Sequence, residues 1–95
     1  MPKGYVIARA VVTNATQWSV YAAAAGEAIK KYGGEPLVRG GRMEVAEGEG
    51  RARNVVIEFE SLDAARAYAF SPEYAAARKL REGAGTIDIV VVEGA

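Results

Sequence analysis

The chain has 95 residues, enough for one domain and too few for two. Twelve basic and twelve acidic residues cancel with neither sign concentrated, which argues against a nucleic-acid surface built to displace counterions. Cysteine and histidine are both absent, which excludes disulfides, thiolate and imidazole metal ligation, cysteine nucleophiles and Ser-His catalysis. The remaining expectation is a protein without metal or cofactor. Met1-Pro2-Lys3-Gly4 runs straight into a strand-like segment with no apolar signal region. No run approaches the roughly 20 apolar residues of a membrane span, so a cytoplasmic protein is expected.

Residues 5–12 are rich in β-branched and aromatic side chains and read as a first strand. Asn14, with Gln17 three residues on, is a capping-box-like helix start. Trp18, Tyr21, Ala22, Ala25, Ile29 and Tyr32 then recur at helical spacing, and Lys30-Lys31 with Gly33-Gly34 close the helix. Residues 36–45 read as a second strand, interrupted by Gly40-Gly41, where paired glycines suggest a bulge or a close backbone approach. After a turn at residues 47–50, residues 54–59 form a third strand. Ser61 caps a second helix to about Phe70, and Ser71-Pro72-Glu73 restarts it to about Arg81. Gly83-Ala84-Gly85 breaks the helix, and residues 87–92 form a fourth strand.

The order βαββαβ predicts an α+β, ferredoxin-like domain: a four-stranded antiparallel sheet with two helices on one face. Alternation places Val6, Ala8, Ala10, Val12, Val55, Ile57 and Phe59 beneath the helices. The opposite face holds Tyr5, Ile7, Arg9, Val11, Asn54, Val56 and Glu58. That face is too apolar to meet water alone, and two such sheets packed together would cover it, which predicts a homodimer.

Several motifs carry a family resemblance. They are Tyr5-Val6-Ile7-Ala8-Arg9, Lys31-Tyr32-Gly33-Gly34, Leu37-Val38-Arg39-Gly40-Gly41, the stretch from Arg53 to Phe59, Ser71-Pro72-Glu73-Tyr74 and Val91-Val92-Glu93-Gly94. In this order the chain resembles the domain of unknown function 1330 family over nearly its whole length. The resemblance implies a dimeric α/β barrel of ferredoxin-like protomers, near the antibiotic-biosynthesis monooxygenase-like and muconolactone-isomerase-like groups, with no established reaction. The chain departs from the family pattern at Ala69-Phe70, where members carry an aromatic followed by Asn or Asp. It departs again at Asn14-Ala15, where members often carry Asp-Pro.

Arg39, beside Gly40-Gly41, is the first candidate site residue, because its planar fork can clamp a carboxylate or enolate; an ion pair or dimer contact is the structural alternative. Arg9 and Glu58 sit on adjacent strands and one face, as a catalytic base with its anion partner or as a pair that neutralises itself across the strands. Trp18, Tyr21, Tyr5 and Tyr68 can line a hydrophobic pocket, although Trp18 and Tyr21 also fit the helix core. Ser71 starts a helix where an anion can bind, and its cap role alone also explains it. Two functions follow. The first is a small-molecule site between sheet and helices, as in a metal-free and cofactor-free enzyme for an oxygenation or isomerisation, with Glu58 as base and Arg39 or Arg9 holding an anion. The second is a non-catalytic ligand-binding or assembly module.

Overall fold

A computed structural model describes residues 2–95; Met1, which opens the N-terminal stretch considered above, lies outside them. Strand β1 (Gly4–Val12) ends where Asn14 turns the chain. The Asn14 side chain accepts the Gln17 amide at 3.0 Å and so satisfies a free donor at the head of helix α1 (Ala15–Lys31). Lys30 and Lys31 oppose the negative helix end, and Gly33 follows in left-handed backbone at φ 78°.

Strand β2 (Glu35–Arg39) is shorter than the predicted residues 36–45. Gly40 adopts φ 66°, which turns the chain out of the sheet, and residues 41–52 form neither helix nor strand. The sheet irregularity also sits earlier than the glycine pair. Register shifts between Pro36 and Val38, next to a proline that has no N–H for the ladder.

Strand β3 (Arg53–Phe59) is followed by α2 (Leu62–Ala69) and α3 (Pro72–Lys79). Ser61 and Ser71 cap these helices by accepting the Ala64 amide at 3.1 Å and the Tyr74 amide at 3.0 Å. Helix α3 ends two residues before Arg81, and β4 (Gly85–Glu93) completes the sheet. All pairings are antiparallel in the order β2-β3-β1-β4, so the fold is the ferredoxin-like α+β arrangement with its second helix broken at Pro72.

Val6, Ala10, Ile57 and Phe59 rise from the sheet into the core. An aromatic chain crosses it. Phe59 stacks on Tyr68 at 5.4 Å, Tyr68 meets Tyr74 at 5.3 Å, and Tyr21 lies 6.2 Å from Tyr74 and 5.1 Å from Trp18. Each edge-on or offset contact adds to the area the rings bury.

Polar contacts hold α1 against α3 at both ends. Gln17 Nε2 donates to the carbonyls of Leu80 (3.1 Å) and Glu82 (2.7 Å). At the other end Glu73 accepts from Lys31 and, at 2.8 Å, from the Tyr32 hydroxyl. The Lys31 and Tyr32 hydrogen bonds hold the Glu73 carboxyl down at about 2, against an ordinary 4.5. Because the folded value is the lower one, this stabilisation is complete above the unfolded value and is lost as pH falls from 4.5 toward about 2. Wild type is therefore expected to melt above Glu73→Gln at neutral pH, with the gap closing across that window. A gap in thermal melts that stays undiminished as pH falls from 4.5 to about 2 would contradict this latch.

Candidate functional site

Residues directly opposite on neighbouring strands share a face, so the strand registers draw rows across the helix side of the sheet. One row is Pro36, Ile57, Val6 and Val91. The next is Arg39, Val55, Ala8 and Ile89, and the third is Arg53, Ala10 and Ile87. Above them lie Trp18, Tyr21, Ala22, Ala25 and Gly26 of α1. The central positions of floor and roof are alanine or glycine, and they leave a cleft of about 970 Å³ between sheet and helices. A Cβ added to Gly26 would meet nothing within 4 Å. The volume is at the upper end of what small-molecule sites enclose, and the walls are mostly apolar.

Four arginines border this apolar space. Arg39 and Arg53 stand on the β2–β3 side, and Arg78 and Arg81 come from α3 and the turn after it. None forms an ion pair or a side-chain hydrogen bond among the described residues. Gly40 makes room for Arg53, since a Cβ there would come within 2.5 Å of the Arg53 Nη1. Arg81 lies over the rings of Tyr21 (5.2 Å) and Trp18 (5.9 Å). Its Nε is shielded from solvent and has no hydrogen-bond partner. A buried donor without an acceptor is unfavourable, and an anion entering the cleft would satisfy it.

The Tyr21 and Tyr74 hydroxyls hydrogen-bond to each other at 2.7 Å. Burial raises the Tyr21 and Tyr68 phenols well above their ordinary 10, so both stay neutral near pH 7 and act as hydrogen-bonding groups, not bases.

The structure brings Arg39, Trp18, Tyr21 and Tyr68 together in the cleft. It places Tyr5, Arg9 and Glu58 on the other face of the sheet, which corrects the pairing of Glu58 with Arg39 in one cavity. Arg9 and Glu58 do not pair across the strands either. The register sets Glu58 opposite Tyr5, and Arg9 opposite Asn54 and Asp88. The Tyr5 hydroxyl donates to Glu58 Oε2 at 3.0 Å, and this bond raises the Tyr5 phenol above its ordinary value. Ser71 is buried and does not line the cleft. Its hydroxyl donates to the Tyr68 carbonyl at 2.7 Å while accepting from Tyr74, a capping role.

Sequence reasoning missed Arg53, Arg78, Arg81 and Tyr74. Tyr74, Arg78 and Arg81 recur at i, i+4 and i+7, the spacing of one helical stripe, which was a usable signal. Ala69 and Phe70 also line the cleft, and Phe70 is 78% exposed at its border.

No curated protein matches the sequence. Among solved structures, a protein of unknown function from Rhodopseudomonas palustris superposes with a TM-score of 0.77 at 16% identity, covering 99% of this chain and 83% of that one. A Bacteroides fragilis protein of unknown function, described as dimeric and ferredoxin-like, gives a TM-score of 0.56 at 20% identity over 96% of this chain and 95% of that one. A Caulobacter crescentus protein provisionally described as an antibiotic biosynthesis monooxygenase gives 0.61 at 16% identity over 99% and 91%. These likenesses agree with the fold derived above. A family model matches residues 3–95, and the chain therefore belongs to the domain of unknown function family DUF1330.

Proposed function

We propose that this chain is a cytoplasmic homodimer that binds a small organic acid, an apolar or aromatic body bearing a carboxylate, in the cleft between sheet and helices. The carrying observation is Arg81, whose guanidinium lies over two aromatic rings at the border of an apolar space and whose Nε is shielded and unpartnered. The same border carries the other three unpaired arginines and Lys30 against Glu27 and Glu35, a positive balance that draws anions in. Dimerisation is supported by the opposite sheet face, where Val90 is 54% and Val38 42% exposed, and by the dimeric description of the Bacteroides fragilis neighbour.

Trp18 is the chain's single tryptophan and lines the cleft, so its fluorescence reports occupancy. Titration with 3-phenylpropanoate is expected to change that fluorescence saturably, whereas the uncharged 3-phenylpropanamide binds at least tenfold more weakly. Equal affinities would overturn an anion site. Filling the hollow with Ala22→Phe is expected to abolish the response while the protein stays folded by circular dichroism.

The Tyr21–Tyr74 hydroxyl pair favours a second reading, in which a bound keto acid is also activated without a cofactor by hydrogen bonding to its carbonyl oxygen. Solvent deuterium would then enter phenylpyruvate beside its carbonyl faster with wild type than with Tyr21→Phe. Equal rates would remove this reading and leave binding alone.

A further inference from the structure

The open face of the sheet is also built in rows. Its middle row, Val38, Val56, Ile7 and Val90, is entirely apolar. On one side lies the row carrying Glu58 and Tyr5, and on the other the row of Asn54, Arg9 and Asp88. Arg9 and Glu58 are thus separated by four residues along the strands, about 13 Å, and cannot meet within one chain. Arg9 has no ion-pair partner among the described residues: its neighbour Asp88 is engaged by Arg51 at 3.2 Å. Glu44 and Glu47 line the same shallow hollow as Arg9, and neither pairs with it.

Resting on the homodimer reading above, we infer that a second copy packs on this face about a two-fold axis that crosses the strands along the Val38–Val90 row, so that Arg9 pairs with the partner subunit's Glu58. Two identical faces can only meet about an axis lying in the plane between them. If that axis crosses the strands, the apolar row covers itself, and the Glu58 row lies over the partner's Arg9 row. If it runs along the strands, each row faces its own copy: the Glu58 row, which also carries Glu35, meets the same two acids of the partner, and Arg9 meets a row whose one acid, Asp88, Arg51 already engages. Like charges at closed contact disfavour the second arrangement. Packed sheets lie about 10 Å apart, which an arginine and a glutamate extending toward each other can bridge. Each dimer then holds two such pairs by symmetry, flanking a continuous apolar centre. The residues that fail to pair within one chain become the device that sets the orientation of two.

Sedimentation or light scattering tests the arrangement. Wild type is expected to be dimeric, Arg9→Glu and Glu58→Arg are each expected to weaken dimerisation at least tenfold, and the double reversal is expected to restore it to within a few fold. A monomeric wild type would overturn the homodimer reading itself. A dimeric wild type that the single reversals leave unchanged, or that the double reversal fails to rescue, would overturn the axis and keep the dimer. Where a reversal does not fold, Arg9→Gln and Glu58→Gln supply a double-mutant cycle. Coupling of tenfold or more supports the pair, and additive effects overturn it.

Discussion

Arg81→Gln is expected to weaken 3-phenylpropanoate binding by about tenfold or more while the chain remains folded. A hydrogen bond to a charged group is worth about 1.5–3 kcal/mol, which corresponds to roughly ten- to 150-fold in affinity. The upper part of that range applies where the donor is shielded from water, as Arg81 Nε is. Glutamine keeps some polar reach but loses the cation and its position over Tyr21 and Trp18. Arg81→Lys separates the contributions, since it retains charge without the planar fork and is expected to bind with intermediate affinity. The cost to stability is smaller. Each of the two contacts Arg81 makes over a ring contributes about 0.5–1 kcal/mol, so the melting temperature falls by roughly 4–16 °C. Unchanged affinity in Arg81→Gln, measured by Trp18 fluorescence or calorimetry, would show that the anion binds elsewhere.

The parts of this molecule that were legible in its sequence are those decided locally. Asn14, Ser61 and Ser71 each satisfy an amide three residues away, so the residue type and the spacing suffice to locate a helix start. Period-two alternation likewise put Val55, Ile57 and Phe59 under the helices. The register was not local. A strand slipped by four residues keeps every side chain on its face, so alternation correctly placed Arg9 and Glu58 together on one face without revealing that Glu58 opposes Tyr5. The end of β2 was hidden for a related reason. Gly40 permits both a continuing strand and the φ of 66° that leaves it, and composition alone does not choose. The cleft was the least legible feature. Ala8, Ala10, Ala22 and Ala25 read as close packing, and only the separation of α1 from the sheet turns their small side chains into a hollow. Arg78 and Arg81 shared a stripe with Tyr74, but arginines on a helix ordinarily mark a solvated face.

A hollow domain concentrates its stability where sheet and helices do touch, and this sets the other large expectation. Phe59 is 1% exposed and stacks on Tyr68 of α2 at 5.4 Å. Its ring also lies against Gly34, where an added Cβ would come within 2.6 Å, so it ties the chain leaving α1 to the end of β3. Phe59→Ala removes this support and leaves a void between Gly34 and the Tyr68 ring. The loss is expected at about 3–5 kcal/mol, a large part of the roughly 5–14 kcal/mol available to a domain of this size. Unfolding by urea is expected to shift its midpoint accordingly. Ile89→Ala provides the contrast. Ile89 is half-buried on the floor of the cleft, where space already exists beside it, so its truncation creates little new void and costs about 1 kcal/mol, well below the usual range for a closed core. Comparable losses at the two positions would mean that α1 closes onto the sheet in solution, leaving no room for a ligand. A difference of several fold would establish that the middle of the domain stands open and that its ends carry the fold.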